Sequence, residues 1–316
     1  MDLRQSPQYA KYMSQTGWQA LLLKEKEKVY AYKRPLGPFG SIVKIQRFPW
    51  PIDLTQLDQL AKKHKALFIK LEPIAIFSQL ETRNPALSKL ILSDVEGVEG
   101  SKLKNNLKSH GFHPDKWPLI PTNTRVINLT KSPNQLLAET SENCRRNINK
   151  AKKNQLKIKM GDWPWFYQNW KQTARKQNLA IPSSSQFLAL VNSLKSNIHL
   201  ISCIDQQNNW LAGIVMPIAF HTAYYLHASS TAQGKHLRAP YLAVWTAITL
   251  AKKLKCTTFD FDGIADPRYP ANNDRAWQGF TEFKSKFGGQ QITYIGSFIK
   301  YYGLGKTLGL LDKIFN

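Results

Sequence analysis

The chain has 316 residues, 42% of them apolar and 11% aromatic, which is enough to bury a core and excludes a disordered tail. Lys and Arg outnumber Asp and Glu 44 to 21, and the net charge of +23 favours a polyanion as partner, although an organism whose proteins run basic would show the same excess. Three cysteines without CxxC spacing argue against a disulfide framework or zinc site and point to a reducing compartment. The first residues lack the apolar core of a signal peptide, and no run approaches the roughly 18 apolar residues of a membrane span. The expectation is a soluble, cytoplasmic protein of one large or two smaller domains.

In chain order, Pro7–Trp18 reads as a helix with Ser6 as its cap and Pro7 in the first turn. Val29–Lys33 and Ser41–Gln46 have strand composition and are separated by Pro35, Gly37, Pro38 and Gly40. Asp53–Lys65 shows helical spacing through Leu54, Leu57, Leu60 and Ala61, and the buried strand Ala66–Leu71 follows, ending in Glu72–Pro73. A helix is expected around Lys102–Ser109, a linker at Pro118–Pro121, and a strand at Arg125–Leu129. Ser132–Lys153 predicts one long helix whose second half carries a basic face. A solvated face and a phosphate-binding surface explain that face equally well.

Helices at Trp163–Gln177 and Ser184–Leu194 precede three predicted strands, Ile198–Ile204, Trp210–Ala219 and Ala223–Ala228. The loop Ser229–Ala239, with Gly234, Lys235 and Arg238, then leads into a buried helix Tyr241–Leu254 started by Pro240. Backbone N–H groups and the helix dipole make such a junction a ready anion site. A short strand Thr257–Phe261 ends in Asp260, Asp262 and Gly263, and a polar loop returns through Phe283–Lys284 to Phe287–Gly288–Gly289. Charged strand ends joined to loops favour active sites. The C-terminal stretch 298–316 reads as a closing helix on the first domain, or as a segment able to rest on a bilayer.

Leu60–Glu72 overlays Leu250–Asp262 without gaps, and Leu107–Lys108–Ser109 resembles Phe283–Lys284–Ser285 in the same order. Two such matches predict a duplicated α/β unit, with Glu72 and Asp262 at equivalent strand ends where ligands of mixed sheets sit. No G-x-S-x-G elbow, paired-His metal spacing or glycine-rich nucleotide fingerprint is present. What remains fits transfer of an activated acyl group to an amine, a reaction that needs alignment, oxyanion stabilisation and a route for one proton.

The ordered set SPQYAKYMSQTGW, RRNINKA within TRVINLTKSPNQLLAETSENCRRNINKAKKNQLKI, YYLHASS, APYLAVWTAITLAKK, FDFDGI and GFTEFKSKFGG…TYIG resembles the Fem-type (FemABX) peptidoglycan aminoacyltransferases over nearly the whole chain. The resemblance implies an α/β protein of two tandem acyl-CoA N-acyltransferase (GNAT)-like domains, expected at 1–122 with 300–316 and at 123–299. It implies an aminoacyl-tRNA donor, a lipid-linked or UDP-linked peptidoglycan precursor as acceptor, no metal and no cofactor. A monomer, with peripheral contact at the inner membrane surface, completes the expectation. The family's Phe-Lys pair falls on Phe283–Lys284, with Asp262 beside it as the acceptor-orienting carboxylate. Glu72, Tyr225, His227, Arg238, Lys235, Arg145 and Lys150 form the expected substrate-binding set. Departures fall at Leu22, Pro182, Gln186, His227 and Ser297, and they leave the acceptor open. An N-acyltransferase using acyl-CoA, and a non-enzymatic basic module for RNA or acidic membrane, are the other two readings.

Overall fold

The computed structural model describes residues 1–24, 27–76, 100–176, 180–270, 273–307 and 309. They form two compact units. One comprises Met1–Asn123, Asp266–Ala271 and Ile292–Asn316, and the other Thr124–Ala265 and Asn272–Gln291.

The first unit is built on a sheet of β1 (Gln19–Lys24), β2 (Val29–Pro35), β3 (Ser41–Phe48), β4 (Ala66–Pro73), the returning strand Ser297–Tyr301, and β5 (His113–Asp115), in that spatial order. Val29 and Ala31, Val43 and Ile45, and Ile69 and Leu71 alternate onto one buried face. Leu54, Leu57 and Ala61 of the helix Leu54–Lys63 cover that face, together with Leu103 and Leu107 of the helix Gly100–Ser109. Asp53 does not belong to the first of these helices but caps it, its Oδ1 accepting from the N–H groups of Thr55 (2.8 Å) and Gln56 (3.2 Å). β3 and β4 run parallel, as the helical crossover between them requires.

The second unit carries β6 (Asn123–Asn128), β7 (Lys157–Met160), β8 (Ile198–Ile204), β9 (Trp210–Ala219), β10 (Thr222–Tyr224), β11 (His227–Ser230), β12 (Thr258–Asp260) and β13 (Gln290–Thr293). Their order is β13-β6-β12-β10-β9-β8-β7, with β11 also paired to β9. The helix Ala239–Lys253 buries Ala243, Val244, Ala247, Ile248 and Ala251 in the core of this unit and delivers the chain to β12, parallel to β10.

Several expectations need correction. The predicted helix Ser132–Lys153 is two helices, Pro133–Ala138 and Glu142–Lys153. Ser141 supplies a second N-cap to the Cys144 N–H, and the Thr140 hydroxyl donates back to the Leu137 carbonyl, so the first helix ends there. The predicted strand Ala223–Ala228 is split, because the Tyr225 N–H turns to the Asp260 carbonyl (2.8 Å) while that of Leu226 returns to Val215 (3.1 Å). The predicted anion loop contains a short helix, Ala232–His236, capped by Thr231. The first part of the stretch 298–316 is a strand, in register with β4 from Phe298↔Leu71 to Tyr301↔Phe68; residues 310–316 lie outside the described residues. Among the described residues no helix is long and apolar enough to cross a membrane.

Candidate active site

The turn after β12 is shaped from within. The Asp260 carboxylate is buried, and its Oδ1 accepts from the Thr124 hydroxyl (2.5 Å) and from the Asp262 N–H (2.8 Å). Thr124 Oγ1 in turn accepts from the Gly263 N–H (3.2 Å). Asp262 is thereby held at φ +50°, a left-handed conformation that aspartate tolerates better than most side chains. Gly263 follows at φ +135°, which only glycine adopts readily. As a result the Phe261 and Gly263 carbonyls face one position, and Lys284 Nζ donates to both, at 2.9 Å and 2.5 Å.

Lys284 arrives on the last turn of a helix, Arg275–Ser285, where the sequence predicts a polar loop. Asp274 caps that helix by accepting from the Trp277 N–H (2.9 Å). The signal was there: a capping Asp followed by Trp277, Phe280 and Phe283 at three-residue spacing. None of the helix residues is fully buried, so the polar positions between the aromatics masked the period.

Burial pushes the Lys284 ammonium down to about 8, and the neighbouring Asp262 and Asp260 carboxylates pull it partway back. Its Nζ also lies 5.2 Å from the centre of the Tyr225 ring. Phe261, Phe283, Phe287 and Tyr241 pack edge-on or tilted against one another, with ring centres 5.2–6.0 Å apart. Burial raises the Tyr225 phenol well above its ordinary value, so it stays neutral at physiological pH.

Tyr225 and Phe283 form part of the wall of a cavity of about 490 Å³ inside this unit. Its apolar side is made by Trp170, Ile214 and Tyr241, and its polar side by Lys235, Arg238 and Arg275. The short helix before Arg238 packs closely on β9: a Cβ on Gly234 would lie 2.1 Å from the Leu211 carbonyl oxygen. Arg238 sits at φ +66° immediately before the helix Ala239–Lys253, and its buried Nε has no hydrogen-bond partner among the described residues. Three cations, one with an unused donor, next to a helix N-terminus give the cavity the chemistry that attracts an anion. The sequence indicated Lys235 and Arg238 but not Arg275, which belongs to the unpredicted helix. A wider depression bounded by Lys159, Asp162 and Trp165 is more open and brings together no comparable set of cations.

The structure places the other expected residues elsewhere. Arg145 is turned to the preceding helix, where its Nη1 donates to the Ala138 (3.0 Å), Leu137 (3.4 Å) and Thr140 carbonyls and so satisfies that helix's C-terminus. Lys150 is exposed on the helix Glu142–Lys153. His227 stacks on Trp170 with ring centres 4.4 Å apart and is not part of the cavity wall. Gln186, at a position of departure, closes a capping box with Ser183. Glu72 is buried in the first unit, where Leu119 N–H (2.5 Å), Ile120 N–H (3.2 Å) and Gln46 Nε2 (3.1 Å) donate to it. Burial raises its carboxyl pKa against those hydrogen bonds. Among the described residues no group of His, Cys, Asp and Glu could hold a metal ion.

Two tandem mixed α/β units define the fold, and the family match defines the class, an acyltransferase. The model of the FemAB family matches residues 2–208 and 168–303, and the chain belongs to that family. The fold is similar to the crystal structure of FemX, with a TM-score of 0.76 at 16% identity over 98% of this chain and 94% of that one. It is also similar to L-PGS from Bacillus licheniformis, with a TM-score of 0.55 at 8% identity over 96% and 90%. None of the curated proteins compared matches the sequence. The activity is of the peptidoglycan-bridge aminoacyltransferase kind.

Proposed function

We propose that the chain moves an amino acid from aminoacyl-tRNA to an amine of a peptidoglycan precursor, lipid-linked or UDP-linked. The observation that carries this reading is the Lys284 ammonium, fixed by two backbone carbonyls and by Tyr225 next to the cavity. The acceptor amine attacks the ester carbonyl of the donor, and the carbonyl oxygen becomes an oxyanion. A preorganised cation with lowered hydration stabilises that charge more in the transition state than in the ground state. Collapse of the intermediate breaks the ester C–O bond and leaves an amide. The departing ribose oxygen of the tRNA becomes a hydroxyl by taking the proton that the attacking nitrogen loses through Asp262. Asp262 orients the incoming ammonium and accepts the proton that the amine must lose. Lys235, Arg238 and Arg275 hold the phosphates of the tRNA end. A lipid-linked acceptor would bring the chain to the inner face of the cell membrane.

The test is an assay with charged total tRNA and candidate amine acceptors, following which label moves. Transfer that vanishes in Lys284→Ala supports the reading; wild-type transfer in that variant sinks it. Binding of acetyl-CoA in calorimetry, with no transfer from tRNA, would replace the donor by an acyl thioester.

A further inference from the structure

One end of the first sheet carries a combination that a solvated surface does not need. The β2–β3 hairpin turns there, with the Leu36 N–H donating to the Gly40 carbonyl (2.8 Å), and Phe39 is 72% exposed and Leu36 37%. The Ser41 N–H donates to the Lys65 carbonyl (3.1 Å), which brings in the segment after the helix Leu54–Lys63. The Tyr302 N–H donates to the Leu67 carbonyl (2.8 Å), which brings in Leu304, 79% exposed. Segments 33–41, 61–67 and 302–307 therefore share this end. Together they hold six cations, Lys33, Arg34, Lys62, Lys63, Lys65 and Lys306, and no Asp or Glu; the adjoining Asp58 carboxylate is paired with Lys300 (2.6 Å) and accepts from the Tyr302 hydroxyl (2.7 Å).

Solvation explains the lysines but not large apolar side chains standing among them. A nucleic acid would use the cations and could stack on Phe39, but Leu36 and Leu304 have no π-face to offer a base. An anionic bilayer uses both parts, because headgroups meet the cations while Phe and Leu side chains enter the acyl boundary. We propose that this end of the first sheet is a membrane-docking surface for anionic lipid. The hairpin tip and Leu304 insert, and the surrounding lysines hold the headgroups. This deepens the reading in which a lipid-linked acceptor brings the chain to the inner membrane face, and vesicle binding tests it separately from transfer.

The experiment is co-sedimentation of the full chain with vesicles of phosphatidylcholine alone or mixed with phosphatidylglycerol, across a salt series. The expected result is partition onto the anionic vesicles only, weakening with salt. Lys63→Glu and Lys65→Glu should each lower it by at least about fivefold, the value for losing one cation at a charged surface. Phe39→Asp and Leu304→Asp should lower it further than a lysine lost on the helix Glu142–Lys153, such as Lys150→Ala. All four positions are exposed, so circular dichroism should match wild type. Absence of partition overturns the proposal, as does partition indifferent to Phe39→Asp and Leu304→Asp. Concentration-dependent dimers abolished by Phe39→Asp, without vesicle binding, would assign the surface to a second copy instead. Loss of binding to total tRNA in the lysine variants alone, again without vesicle binding, would assign it to nucleic acid. Transfer to a water-soluble acceptor should persist in Phe39→Asp; its absence in wild type would count against the acyl-transfer reading and leave this one standing.

Discussion

The two units repeat one connectivity and use it differently. In the first, β3, the helix Leu54–Lys63 and β4 form a parallel crossover, and the sheet continues through Ser297–Tyr301 to β5. In the second, β10, the helix Ala239–Lys253 and β12 do the same, and the sheet continues through β6 to β13. The sequence overlay of Leu60–Glu72 on Leu250–Asp262 puts Lys70 on Asp260. Lys70 is buried in an ion pair with Asp115 (2.6 Å) and donates to the Trp117 carbonyl (2.8 Å). Asp260 instead organises the turn that offers two carbonyls to Lys284. The matching pair further on diverges as well: Leu107 is fully buried and Lys108 exposed, whereas Phe283 lines a cavity and Lys284 points inward. In the first copy the polar groups at the strand end satisfy one another; in the second they hold the Lys284 ammonium.

Exchange of roles at these positions can be broken experimentally, beginning with the largest effect. Lys70→Met leaves the Asp115 carboxylate buried without its counter-ion and should destabilise the first unit by about 3–5 kcal/mol. Urea unfolding would show this, with transfer per folded molecule unchanged. Lys284→Ala should lower transfer by about 10²–10³-fold, the usual cost of one oxyanion donor. Lys108→Ala, its counterpart, should leave the rate at wild type, and equal losses in both would end the comparison.

Thr124→Val removes both the donor to Asp260 and the acceptor for Gly263, at a cost of about 1–3 kcal/mol. It should also shift the pH profile of transfer, because the turn that sets the Lys284 environment relaxes; Thr124→Ser should restore both. The pH dependence of the wild type has a defined sign. Lys284 is lowered to about 8, so an ammonium-dependent rate should fall as pH rises through 8. Stability moves the other way. The folded state binds fewer protons than the unfolded state from about 8 up to the ordinary lysine value. The penalty for the buried ammonium is therefore full below pH 8 and fades above it. The smallest effect expected is that of Arg238→Gln, which should weaken donor binding and reduce its salt slope by about one.

Much of this was written locally. The strand–helix–strand blocks, the cap at Ser6, the cationic junction before Pro240 and the Phe283–Lys284 pair can all be read from residues near one another, and so can the family. Periodicity and capping are short-range properties, and the residues that express them are neighbours in the chain. The site's geometry is of another kind. Thr124 and Asp260 are 136 residues apart in sequence, and Thr124 and Gly263 are 139. No local pattern foretells that a threonine on β6 will shape the turn after β12. For the same reason the sequence does not show that Arg145 donates to the carbonyls ending the preceding helix, and it hides Arg275 in a helix with no buried residue. Sequence determined which residues could carry charge and which segments could be helices or strands. Sheet pairing decided which charges are satisfied, because a hydrogen bond or an ion pair depends on distance in space rather than along the chain.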